Sequence, residues 1–201
     1  MLALFQITVL IMSVVIHEVA HGVVAYSLGD PTAKQAGRLT LNPISHLDPF
    51  GSFLLPVMLY VMTTGSFVFG WAKPVPYNPY NLRGGKWGPV CVALAGPATN
   101  LTLAIIFGVL VQIGGATFSS TFIGLASVVV VINVLLAFFN LLPIPPLDGS
   151  KLLFALFPRH AIFLEEFFAR YQLFVLIFIL FFGWRLIQFP VSLVSALLLG
   201  Y

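Results

Sequence analysis

Charge is what this sequence has least of: only 7% of its 201 residues are Asp, Glu, Lys or Arg, against about a quarter in an ordinary globular domain. A soluble fold is thereby excluded, because hydrophobic residues reach 60% and the mean hydropathy is +1.06. Nine Lys and Arg are scattered over connecting segments, without the clustered stripe that nucleic acid requires, so nucleic acid is not an expected partner. Cysteine occurs once, at Cys91. That excludes an intrachain disulfide and any thiolate metal cluster, so a metal here must use imidazole and carboxylate. Leu2 to Leu28 has neither a basic n-region nor a small-residue cleavage pattern and reads as a retained membrane helix. With no internal repeat, low-complexity tract or soluble appendage, residues 1–201 are expected to form one integral-membrane unit solvated by the lipid bilayer. Its core should cover about residues 1–150, with 151–201 as accessory helices.

What is present is a set of apolar runs. Leu2 to Leu28 is long enough to cross a hydrocarbon core of about 30 Å and ends at Gly29-Asp30-Pro31. Thr32 to Pro43 reads as a short extended excursion. Phe50 to Phe69 is apolar but broken by Pro56 and Gly65, and Trp71 to Pro89, rich in Pro, Gly and Asn, reads as irregular or extended chain. Val90 to Ile113 and Thr121 to Leu142 are spanning candidates, the second stopped by Pro143-Ile144-Pro145-Pro146. Ser150 to Phe157 should be interfacial and Ile162 to Phe182 a further span, while Val191 to Leu199 is short for a crossing. The fold class expected is an all-α polytopic helical bundle with re-entrant and short extended segments near its site.

Three ionisable groups interrupt the first run as His17-Glu18-Val19-Ala20-His21. Residues four apart share one helical face, so both imidazoles can reach one zinc ion. Glu18, about 100° around the helix from His17, can reach a water on that ion as a general base. Ionisable groups in a span are costly unless they pair, bind metal or line water. A catalytic zinc takes three protein ligands, and the third is open among His46, His160, Asp30, Asp48, Asp148, Glu165 and Glu166. Asp148 stands out directly after a proline-broken helix end, although Asp-Gly also suits a plain interfacial turn.

The pair of motifs, His17 to His21 and Pro146-Leu147-Asp148-Gly149 with Asn140 ahead of it, resembles the site-2 protease family of intramembrane zinc metalloproteases. Gly37-Arg38-Leu39-Thr40-Leu41-Asn42-Pro43, Gly70-Trp71-Ala72-Lys73-Pro74-Val75-Pro76 and Ala95-Gly96-Pro97-Ala98-Thr99-Asn100 are similar to segments of its compact prokaryotic members, so the likeness covers most of residues 13 to 150. The resemblance implies one catalytic Zn2+ on His17, His21 and Asp148, with Glu18 as the base and a transmembrane protein as substrate. Asn140 is expected to hold substrate or stabilise the oxyanion. Asn100 carries that role as an alternative to an interhelical hydrogen bond. A strand-like edge between Phe67 and Pro76 is a candidate for pairing with an unwound substrate.

If His17, His21 and Asp148 meet, the carboxyl ends of two spans share one side and residues 29–89 begin and end there. Phe50 to Phe69 should then be re-entrant. Eight of the nine basic residues fall on that side, leaving Arg185 opposite, so the site should face the cytoplasm of a prokaryotic cell. A metal or proton transporter would also carry His, Glu and Asp in its spans, but would show internal repeats. An inactive scaffold would have lost the base.

Overall fold

A computed structural model of the chain describes residues 2–64, 70–114, 117–159, 161–178 and 184–201. Among the described residues, three helices are long and apolar enough to cross a membrane: α1 (Leu2–Ser27), α4 (Gly88–Gly114) and α5 (Ser120–Asn140). At 1.5 Å per residue they measure about 31 to 40 Å, enough for the hydrocarbon core. Shorter helices are α2 (Thr32–Gln35), α3 (Leu55–Met62), α6 (Gly149–Leu156), α7 (Ala161–Phe178) and α8 (Trp184–Leu199). Among the described residues there is no strand; extended backbone at Asn42, Leu47, Asp48 and Asn78 supplies the short extended stretches. The chain is thus an all-α polytopic membrane protein.

Helices α1 and α5 stop where the sequence removes their means of continuing. Past α1, Gly29 adopts φ 106° ahead of Pro31, and Pro143 follows α5. The Ser119 hydroxyl accepts from Phe122 N and starts α5. Helix α4 lies at the centre, packed against α1 and α5, and buries Ala93, Gly96, Ala104 and Gly108. Such small residues let helix backbones approach where lipid gives no hydrophobic drive for association. Ala104, Val130, Val134, Ile187 and Val191 form one core cluster joining α4, α5 and α8. A second, Ala25, Leu82 and Val92, ties the end of α1 to the start of α4. Leu4, Ile7, Ile105, Ile106 and Val109 point outward, toward lipid.

Between α1 and α4 the chain leaves the bundle and comes back. Pro49–Leu54 forms a π-helical turn continued by α3, together too short for a crossing. Trp71 N then donates to Gly51 O at 3.1 Å, and Ser52 Oγ to Trp71 O at 2.8 Å. The excursion therefore ends where it began, as a re-entrant segment must. This contact needs glycine: a Cβ on Gly51 would lie 2.2 Å from the Trp71 indole. Residues 65–69, part of the expected Phe50 to Phe69 element, lie outside the described residues. Thr32, where extended chain was expected, opens one helical turn instead, because Asp30 accepts from both Thr32 N and Thr32 Oγ1. Helix α7 lies where the Ile162 to Phe182 span was expected and is described as far as Phe178, but with Glu165, Glu166 and Arg170 in it, it is not among the helices apolar enough to cross over those residues; residues 179–182 and His160 are outside the described residues.

Candidate metal centre

One helical turn of α1 presents His17 and His21 side by side, with ring centroids 4.6 Å apart and planes at 90°. Both are buried, at 5% and 8% exposure. Each ring is held from behind through Nδ1: that of His17 lies 2.5 Å from Asn100 Oδ1 and that of His21 2.7 Å from Val92 O. Both partners are acceptors, so each Nδ1 carries the proton and each Nε2 presents a lone pair. The two Nε2 atoms converge on one carboxylate oxygen, Asp148 Oδ2, at 3.1 Å and 3.3 Å. Asp148 arrives there because the turn from Pro143 to Leu147 closes with Leu147 N donating to Ile144 O, just ahead of α6.

Three ligand atoms of His17, His21 and Asp148 lie within 4.8 Å of one another. Two lone pairs and a carboxylate facing each other repel unless a cation stands between them. This donor set of two imidazoles and one carboxylate is the type that holds a catalytic divalent ion with an open position. The hydrogen bonds through Nδ1 are the outer contacts that orient such ligands. The packing leaves no slack: a Cβ on Gly96 would sit 2.5 Å from His17 Cε1 and Nε2.

Glu18 stands beside this cluster, and its Oε2 accepts from Val75 N at 2.9 Å. Among the described residues its other oxygen makes no hydrogen bond, and the carboxylate borders two adjoining cavities. The smaller, about 210 Å³, is lined by His17, Glu18, His21, Tyr77, Asp148 and Lys151 among others. The larger, about 590 Å³, runs between Val14 of α1, the Gly70 to Pro74 segment and Leu136, Phe139 and Asn140 of α5. Asn140 borders both, its amide donating to Leu136 O at 3.0 Å.

Asn100 occupies a different position. It is fully buried behind His17, with Oδ1 accepting from the ring and Nδ2 donating to Asn133 Oδ1 at 2.8 Å. Its interhelical bonds, not contact with the cavities, use its amide. Asn133, which donates in turn to Ser13 Oγ at 3.0 Å, went unnoticed in the sequence although it too is an amide inside an apolar run. Tyr77 also went unnoticed. Burial, and then the charge of Asp148, push its phenol above the ordinary value, so it lines the cavity as a neutral donor.

The other sequence candidates sit elsewhere. His46 is buried in the loop after α2 and bonds Thr40 O through Nε2 at 2.8 Å. Asp48 caps the π-helical turn through Phe50 N and Gly51 N. Asp30 accepts from Thr32, Asn78 and Asn81. Glu165 and Glu166 are exposed on α7. Among the described residues, only Asp148 joins the two histidines.

The model of peptidase family M50 matches residues 109–183, which contain Asp148. Three relatives share the description "Putative zinc metalloprotease". YwhC of Bacillus subtilis is 43% identical over 161 residues, covering 77% of this chain and 69% of its own. Rip2 of Mycolicibacterium smegmatis is 33% identical over 145 residues, 69% of this chain and 52% of its own. Rip3 of Mycobacterium tuberculosis is 44% identical over 71 residues, 34% and 18% respectively. The chain therefore spans about two thirds of the first relative and half of the second. No solved structure matches it with significance. The chain belongs to peptidase family M50, the site-2 protease family of membrane metallopeptidases.

Proposed function

We propose that this protein is an intramembrane zinc endopeptidase that hydrolyses peptide bonds in or near transmembrane segments of other proteins, in the manner of regulated intramembrane proteolysis. The observation that carries the proposal is the convergence of His17, His21 and Asp148 beside a carboxylate, Glu18, that is not part of the cluster. The relatives' description as zinc metalloproteases supports zinc as the ion, one per chain, on His17 Nε2, His21 Nε2 and Asp148. Bound there, zinc supplies Lewis acidity to a water and to the attacked carbonyl. Glu18 takes the proton from that water as it attacks the carbonyl carbon, and delivers it to the nitrogen as the C–N bond breaks. Asn140, at the junction of the two cavities, holds the substrate backbone or the developing oxyanion. Residues 1–201 act as one unit with its core in 1–150, and the site faces the cytoplasmic side of a prokaryotic cell membrane.

The larger cavity is lined mainly by apolar residues, among them Gly70, Trp71, Ala72 and Pro74 along one wall. An unwound substrate needs partners for its freed peptide groups. Among the described residues, the inward edge of this segment is already engaged: Lys73 N donates to His46 O and Val75 N to Glu18. Pro74 and Pro76 lack an N–H. The peptide groups of Ala72, without partners among the described residues, are therefore what this edge offers a substrate strand; residues 67–69 of the expected edge lie outside the described residues.

The test uses the purified chain and a quenched fluorescent peptide of about 20 apolar residues in micelles. Glu18→Gln should keep one zinc per chain while cleavage falls by about 10²-fold or more. Asp148→Ala should lose the zinc. Cleavage surviving in the first variant, or zinc retained at full affinity in the second, overturns the assignment. Zinc uptake by vesicles without proteolysis would favour a transporter.

A further inference from the structure

Arg38 is the buried charge that the chemistry above leaves unused. It is 8% exposed, and among the described residues no carboxylate lies within ion-pair distance of it. Its two terminal nitrogens donate to backbone carbonyls, Nη1 to Ser45 O and Nη2 to Lys73 O at 2.8 Å and Pro74 O at 3.2 Å, while Nε has no partner among the described residues. Burying a cation without a counter-charge is costly. The return for that cost is found one atom further on.

The carbonyl of Pro74 and the N–H of Val75 are opposite ends of one trans peptide plane. Arg38 donates to the first, and the second donates to Glu18 Oε2 at 2.9 Å. The plane is thus strung between a guanidinium and a carboxylate, an arrangement in which each hydrogen bond strengthens the next. Pro74 has a fixed φ, and Val75 is restricted by the proline after it. What remains free is rotation of the plane itself. Turned over, it would aim a carbonyl at Glu18 in place of an N–H and push the carboxylate away. Lys73 N, bonded to His46 O at 2.9 Å, anchors the same segment two residues upstream.

We propose that Arg38 is a positioning residue for the general base: by fixing the Pro74–Val75 peptide it aims the N–H that holds Glu18 beside the metal cluster. This rests on the assignment of Glu18 as base. It gives one mechanical purpose to two of the sequence segments noted above, Gly37 to Pro43 and Gly70 to Pro76, which the metal chemistry itself does not use.

Arg38→Ala and Arg38→Lys are compared with wild type in the full chain, on the same quenched apolar peptide. A displacement of about 1 Å in a catalytic group costs about 10²-fold. Arg38→Ala should therefore lose about that much kcat, with KM within about threefold and zinc content unchanged, and millimolar guanidinium should restore part of the loss. Arg38→Lys keeps the charge but cannot span three carbonyls with one ammonium, so it should also lose kcat. In both variants the Val75 amide should exchange with solvent faster, in zinc-free protein as in loaded. Full kcat and a protected Val75 amide in Arg38→Lys overturn the proposal. So does an Arg38→Ala chain that loses zinc and kcat together and is not rescued by guanidinium. Activity in Glu18→Gln would instead remove the base assignment, whereas an inactive Glu18→Gln beside a fully active Arg38→Lys removes only the role of Arg38.

Discussion

Gly96→Ala adds a single methyl group at the point where α4 passes closest to the metal cluster. The new Cβ would lie 2.5 Å from His17 Cε1 and Nε2 and 2.7 Å from Cδ2, while carbon atoms in contact sit about 3.5 Å apart. The imidazole has to withdraw by about 1 Å, since the methyl group is fixed to a helix backbone. Withdrawal stretches the 2.5 Å bond from His17 Nδ1 to Asn100 Oδ1 to about 3.5 Å, beyond hydrogen-bonding range. It also moves Nε2 off the position it shares with His21 and Asp148. Loss of an orienting contact alone costs 10- to 100-fold in metal affinity, and displacement of the ligand atom adds to it. Zinc affinity should fall by about 100-fold or more, about 2.8 kcal/mol. Competition against a fluorescent chelator measures it. Helix propensity works in the opposite direction, because alanine favours a helix by about 1 kcal/mol over glycine. The zinc-free variant should therefore unfold within about 1–3 kcal/mol of wild type, the range of ordinary overpacking. Zinc affinity within about threefold of wild type would refute the tight His17–Gly96 contact and the placement of His17 as a ligand.

Asn133→Leu removes the acceptor for Asn100 Nδ2 and frees that amide to turn its nitrogen toward His17; zinc affinity should fall by about 10-fold, read by the same chelator competition. Asp30 is fully buried. Burial opposes its ionisation, but bonds from Thr32, Asn81 and Asn78 prevail and hold its carboxyl below the usual range. A depressed native pKa contributes stability that is present above the unfolded value, about 3.9, and is lost as pH falls through the native one. Asp30→Ala should therefore lower the melting temperature at pH 6, and the difference from wild type should shrink below about pH 4.

How much of this was legible beforehand depended on whether a residue's purpose is local. His17, Glu18 and His21 lie within about one helical turn, so spacing alone put the two imidazoles on one face with Glu18 about 100° around from His17. The three spans were legible from length and apolarity, and their stops from Gly29, Pro31 and Pro143. Asp148 needed family resemblance as well, because nothing within a few residues of it says which distant helix it will face. Asn133 and Tyr77 were missed for the same reason: the first matters through Asn100 of another helix, the second by lining a cavity whose other walls lie far along the chain. Thr32 to Pro43 reads as extended from its Gly, Thr and basic residues, a local composition that does not show the Asp30 carboxylate starting a helical turn at Thr32.

The polar groups of the bundle also explain why its three long helices hold one register. Lipid is as apolar as leucine, so Val130 or Ala104 would pack acceptably after a shift of one turn. Ser13, Asn133, Asn100 and His17 would not. They form one chain of hydrogen bonds through α1, α5 and α4, and a slide of one helix by a turn, 5.4 Å, breaks two links at once. Each broken link strands a buried amide or imidazole, at about 1–3 kcal/mol apiece. The groups that orient His17 therefore also select the alignment of the bundle. The two purposes can be separated by measurement: Asn133→Asp keeps an acceptor toward Asn100 but replaces the donor toward Ser13 Oγ, so it should retain zinc better than Asn133→Leu. Equal zinc affinity in the two variants would show that the amide chain serves packing alone.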